Sequence, residues 1–204
     1  MTDATAPLPA PKRQARSTAR LQRILGESLE CFARQGFEGA TYDELIRRTN
    51  VSRGSFYWYF PSKEALYDAV LDYCADGYVA RLEAEYERID AALPVVARLL
   101  RASLADFAAN RSRYRLLMRP PPSAGALVKL ARWNDECLAF MRGKLEPLVA
   151  EGRLDAATAE LLPDVLSAFL DGVCVRAVLE VDGAVPALDR QIEAFLCQIV
   201  AQGG

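Results

Sequence analysis

Thr41 and Ser52 stand eleven residues apart, each opening a short run with apolar residues at helical spacing, and the polar turn Thr49-Asn50-Val51 lies between the runs. A hydroxyl in such a position accepts from an early backbone N–H and starts a helix. Glu44, three residues after Thr41, adds the pattern of a capping box, in which its side chain reaches back to the cap. Leu45 and Ile46 supply the buried side of the first run, and Phe56 and Phe60 that of the second. Residues 41–60 are thereby confined to two brief helices joined by a tight turn, a helix-turn-helix. Pro61 then disfavours helical geometry at Phe60, and Ser62 caps the next segment.

The flanks extend this helical reading. Leu21, Ile24, Leu25, Leu29 and Phe32 predict a helix over 18–35, with Gly36 as its left-handed stop. Residues 1–17, rich in Pro, Ala, Thr and basic side chains, read as a disordered basic arm: either a solvated tail or a set of cations that reaches phosphates or the minor groove. Downstream, a long helix over 62–90 carries Gly77 as a candidate kink. Further helices are predicted over 95–110, 113–118, 127–151, 156–181 and 188–201, separated by proline and glycine. The expected fold is all-α with about nine helices, divided into the arm 1–17, a head 18–64 and a larger helical body 65–204.

Charge and composition narrow the function. Between Lys12 and Glu64 ten basic residues face six acidic ones, so this stretch carries +4 in a chain of formal net charge −2. A basic head on an acidic body suits polyanion binding. The chain has no histidine, and its five cysteines, Cys31, Cys74, Cys137, Cys174 and Cys197, have no metal-ligand spacing. The commonest general base and metal ligand are therefore absent, and no Glu-x-x-His pair, phosphate-binding glycine loop or nucleophile with its base is found. An enzyme is not expected, nor a metal or cofactor. The N-terminus lacks the pattern of a secretory signal and no apolar run is of membrane-spanning length, so a cytoplasmic protein is expected.

The stretch TYDELIRRTNVSRGSFYWYFPSKE, residues 41–64, resembles the DNA-binding signature of the tetracycline-repressor (TetR) family. Family members show a capped second helix, a turn ending in Val-Ser, a recognition helix of the form Arg-Gly-Thr-Leu-Tyr, two aromatics, and Phe-Pro-Ser-Lys-Glu. Ser55 and Phe56 depart mildly from that pattern. With the upstream helix the resemblance covers roughly residues 18–72, and the body matches only in its helices.

Physical chemistry gives these positions their candidate roles. Gly54 permits close approach of the helix to the groove, and Arg53 would donate either to guanine O6 and N7 or to a phosphate. Ser55 is a DNA donor or a solvated hydroxyl. Trp58, with Phe56 and Phe60 taking the inward positions, either packs on a thymine methyl or fills structure. The resemblance implies phosphate clamps at Tyr42, Tyr57, Tyr59 and Lys63, whereas Arg47 and Arg48 read as a solvated, field-generating face.

One such head is too small for useful specificity, so two copies about 34–36 Å apart along operator DNA are expected, held by a homodimer. Leu162, Val165, Leu166, Phe169 and Val173, with Ile192, Phe195 and Ile199, are the candidate dimer residues, forming a four-helix bundle across a two-fold axis as in the family. The resemblance also implies an effector pocket in the body. Its candidate lining is Tyr73, Cys74, Tyr78, Phe107 and Tyr114, with Met118, Trp133, Cys137, Phe140 and Met141, a set that suits a small apolar or aromatic molecule. Arg119, Arg132 and Arg176 lie near these stretches as candidate anion anchors or solvated cations. The expected function is a repressor released from a palindromic operator by that effector, with the long helix as the lever. The alternative is an effector-independent DNA-binding or architectural protein.

Overall fold

The computed structural model describes residues 10–178, with side chains from 17 to 176. Nine α-helices and no strand occur among the described residues: α1 (Ala10–Gly39), α2 (Tyr42–Thr49), α3 (Arg53–Tyr59), α4 (Lys63–Ala75), α5 (Tyr78–Arg88), α6 (Val95–Ala109), α7 (Arg111–Leu117), α8 (Ala124–Ala150) and α9 (Ala156–Val178). The all-α architecture is the one expected. No described helix is long and apolar enough to cross a membrane. The helix expected over 188–201 lies outside the described residues.

Two compact units divide the chain, residues 1–73 and 74–204. The head therefore takes in more of α4 than the expected boundary at residue 64. Leu66, Tyr67 and Val70 are almost fully buried, and the Tyr67 ring packs edge-on against Phe32 at 5.1 Å and Phe37 at 5.4 Å. Aromatic pairs in this geometry add to the burial of their area, so the first turns of α4 are core to the head.

Two expectations are corrected in these elements. Helix α1 is already formed at Ala10, so residues 10–17 are not part of a disordered arm. Pro11 is compatible with a first turn, and Lys12, Arg13, Gln14, Ala15 and Arg16 are good helix formers. The long helix expected over 62–90 is broken, since Gly77 is left-handed at φ 63°, ψ 13°, ending α4 and opening α5. Gly36 is the expected stop, at φ 76° and ψ 175°.

In the body α5 packs on α6, and α9 packs on both α6 and α8. Tyr86, Leu99, Leu100, Met141, Leu145, Leu166 and Leu170 form one apolar cluster. Tyr78, Leu82, Phe107, Tyr114, Cys137 and Cys174 form a second, with Met118, Trp133 and Phe140 packed against it.

Candidate DNA-binding helix and body cavity

Helix α3 is set by local caps. Ser52 Oγ accepts from the Ser55 N–H at 3.3 Å and opens α3, while the Phe60 N–H closes it on the Phe56 carbonyl at 2.9 Å. Thr41 Oγ1 caps α2 by accepting from the Glu44 N–H at 3.3 Å. The return arm of the capping box does not form as expected: the Glu44 carboxylate accepts from Gln35 Nε2 at 2.9 Å and lies 3.8 Å from both Arg34 and Arg48. A carboxylate gains more from a charge-bearing neighbourhood than from one more amide.

Phe56 and Phe60 are buried, whereas Trp58 is 77% exposed and Tyr57 44% exposed. The Trp58 indole rests edge-on against Tyr59 at 4.9 Å. A Cβ built on Gly54 would meet nothing within 4 Å, so the free head has no packing reason for glycine there. Arg53 donates to Asp43 Oδ1 at 2.6 Å. The Ser55 hydroxyl accepts from Ser52 Oγ at 2.8 Å, which leaves its own proton to donate.

Two expected phosphate clamps have other work inside the head. Lys63 Nζ donates to the carbonyls of Phe37 at 2.9 Å and Ala40 at 3.3 Å, and sits 4.3 Å over the Phe37 ring. It closes the end of α1, where carbonyls lack helical partners. The Tyr42 hydroxyl donates to the Phe60 carbonyl, and burial, the largest cause, pushes its pKa up to about 12. With its proton committed, it has none left for a phosphate oxygen. Tyr57 packs its ring on Tyr42 at 5.0 Å, and the Tyr59 hydroxyl lies 3.2 Å from Ser17 Oγ on α1. Arg48 is held by Glu27 at 3.6 Å and by Glu44, whereas Arg47 is exposed.

The body contains a cavity of about 40 Å³. Of the ten candidate lining residues, Tyr78, Tyr114, Trp133, Cys137 and Met141 border it. Phe107, Met118 and Phe140 belong instead to the packed core beside it, Cys74 is buried without lining it, and Tyr73 falls in the head unit. None of Arg119, Arg132 and Arg176 lines it.

Sequence reasoning missed the polar side of this region. Ser103, Asn134, Ser167 and Asp171 also border the cavity. Behind it Asp106 is 2% exposed and accepts from the Tyr114 hydroxyl at 2.9 Å, Arg81 Nε at 3.2 Å and Asn110 Nδ2 at 3.0 Å. The Tyr78 hydroxyl lies 3.3 Å from that of Tyr114. Burial raises the pKa of both phenols well above the ordinary range, so they remain neutral hydrogen-bonding groups. Burial likewise raises the Asp171 carboxyl.

The candidate dimer residues divide. Leu166 and Val173 are buried in the chain's own core and Leu162 packs against it, which corrects their assignment to a partner. Val165 and Phe169 are exposed, as are Leu161 and Val175. The helical period decides this: the core takes one face of α9, and Leu161, Val165, Phe169 and Val175 fall on the other. Ile192, Phe195 and Ile199 lie outside the described residues.

A capped α2, a tight turn and a short α3 with an exposed aromatic face, carried on a chain with a helical body, define a helix-turn-helix protein. A sequence profile described as bacterial regulatory proteins, tetR family, matches residues 24–70, the segment that carries the helix-turn-helix. It is 38% identical over 73 residues to the HTH-type transcriptional regulator RutR of Escherichia coli K12, a match covering 36% of this chain and 34% of that one. It is 40% identical over 62 residues to SrpR of Pseudomonas putida, covering 30% and 29%. The match thus spans about a third of the length of these curated relatives.

The fold likeness reaches further along the chain. A TetR transcription regulator from Haloarcula marismortui superposes with a TM-score of 0.71 at 16% identity, covering 89% of this chain and 98% of that one. FadR of Bacillus subtilis, solved in complex with stearoyl-CoA, gives 0.71 at 15% identity, covering 86% and 97%.

Proposed function

We propose that this protein is a homodimeric, sequence-specific DNA-binding regulator of transcription, a repressor that leaves a palindromic operator when a small molecule occupies its body. The observation that carries the reading is the surface of α3, where Trp58 projects from a head that buries Phe56 and Phe60 and Gly54 leaves its flank open. An exposed indole beside an open stretch of backbone suits a helix entering the major groove. Arg53, Ser55, Tyr57 and Tyr59 flank them with donors for bases and phosphates.

The exposed row Leu161, Val165, Phe169 and Val175 on α9 supports pairing with a second copy, since a monomer gains nothing from such a face in water. The stearoyl-CoA complex of the similarly folded FadR supports a ligand site in a body of this architecture. An effector acts on DNA affinity only through a preference for one arrangement of the two heads.

Selection of bound sequences from random duplexes by the purified full chain tests the proposal. The expected product is one short palindrome with half-sites a helical turn apart. Recovery of no preferred sequence at moderate salt overturns it.

A further inference from the structure

We propose that the body cavity seats the head group of a small organic cation with an aromatic body, with Asp171 as its counter-ion. This rests on reading the body as an effector-binding domain, and it names the class of effector.

The lining is one-sided in charge: among the described residues Asp171 is its only charged side chain. Asp171 is exposed at residue level yet borders the cavity, so it stands where the cavity meets the surface. Among the described residues no lysine or arginine pairs with it, and desolvation raises its carboxyl with no cation opposing the rise. The other nearby carboxylate, Asp106, already has Arg81 at 3.2 Å and exerts no uncompensated pull.

Aromatic rings complete the seat. Tyr78 and Trp133 lie 4.9 Å apart at 58°, and Tyr114 and Trp133 6.5 Å apart at 68°. Ring faces attract a cation most strongly where water is scarce. Trp133 Nε1 is buried with no acceptor among the described residues, and an unmet buried donor favours a ligand that brings an oxygen or nitrogen lone pair. The cavity's volume of about 40 Å³ is on the scale of one water, which suits an ammonium group; the flexible Met141 side chain borders the space into which a ligand's ring would extend. An anionic ligand would meet Asp171 with no cation among the described lining residues to receive it.

Calorimetric titration of the full chain with 2-phenylethylammonium, 2-phenylethanol and 3-phenylpropanoate tests this. The ammonium is expected to bind at least ~10-fold tighter than the alcohol, a difference of about 1.4 kcal/mol. Asp171→Asn is expected to abolish that margin while leaving the alcohol's affinity unchanged. Equal binding of the alcohol or the propanoate, a margin that survives Asp171→Asn, or binding of none of the three overturns the assignment. Operator release is recorded with the same compounds. Release by the alcohol or propanoate alone overturns the cation assignment and leaves the effector reading standing. Asp171-dependent binding of the ammonium with no change in operator affinity supports the seat and removes the effector reading.

Discussion

Arg53 and Asp43 meet at 2.6 Å across the turn that joins α2 to α3, with both side chains mostly exposed. An ion pair in that setting adds little to stability. Its consequence is geometric: one carboxylate selects a rotamer for the arginine that opens the recognition helix, and places a negative charge beside the surface that would face phosphates. Asp43→Asn is expected to leave unfolding free energy within about 0.5 kcal/mol of wild type. It is also expected to raise affinity for scrambled duplex and to lower the ratio of operator to scrambled binding several-fold. Anisotropy titrations of both duplexes at one salt concentration check this, and an unchanged ratio would show that the pair does not orient Arg53.

Gly54 separates folding from binding. Because no atom of the head approaches its missing Cβ, Gly54→Ala is expected to stabilise the chain by up to about 0.5–1 kcal/mol through helix propensity. The added methyl would meet the groove instead, so operator affinity is expected to fall at least ~10-fold, corresponding to about 1.4 kcal/mol. Urea unfolding and operator titration on the same preparation read the two effects, and a stabilised variant with full affinity would place Gly54 away from the DNA.

Lys63 gives a contrasting case. Its ammonium joins the Phe37 and Ala40 carbonyls, and loss of charge-assisted bonds of this kind costs about 1.5–3 kcal/mol each where both partners are shielded, less here because Lys63 is only partly buried. Lys63→Met is expected to destabilise the head by about 1–2 kcal/mol. The slope of log affinity against log salt is expected to stay the same, whereas loss of one phosphate contact would reduce it by about 0.9.

Burial pushes the thiols of Cys74, Cys137 and Cys174 up to about 12, above the ordinary thiol pKa near 8.5. A raised folded-state value means the native state holds these protons more tightly than the unfolded chain. Their contribution to stability is therefore complete below the unfolded pKa and is lost as pH rises from about 9 towards 12. The three thiols are expected to resist iodoacetamide at pH 8 and to react once urea unfolds the chain, as peptide mapping by mass would record. Rapid native labelling of any of them would contradict their place in the core.

The head was more legible in sequence than the body for a physical reason. Thr41, Ser52 and Ser62 each accept from an N–H three residues on, so their signals lie within a single helical turn. The internal role of Lys63 was not legible because its partners are 26 and 23 residues away, and an exposed lysine beside a DNA-binding helix gives the same local pattern. Asp106 was invisible for the same cause: its burial depends on Arg81, 25 residues upstream, and nothing in its own neighbourhood distinguishes it from a solvated acid. Gly77 was recognised as a weak point, but a glycine within a helical pattern permits a kink or a left-handed break alike. The apolar stripe of α9 was found by its period, whereas the division between inward Leu166 and outward Val165 required the packing of the neighbouring helices.

That division makes the dimer reading testable at adjacent positions. Val165 is 61% exposed and Leu166 is 7% exposed, so the two substitutions act through different physics. Leu166→Ala removes core volume and is expected to cost about 2–5 kcal/mol by the cavity it leaves. Val165→Asp changes a mostly exposed position, but places an unpaired carboxylate on the face a second copy would cover. It is expected to shift the chain to monomers in sedimentation at micromolar concentration while retaining helical content by circular dichroism. Operator affinity should then fall by at least ~100-fold, since two heads no longer bind as one unit. A Val165→Asp chain that sediments as a dimer would place the partner elsewhere on the body, and a monomer that kept full operator affinity would dissociate pairing from recognition.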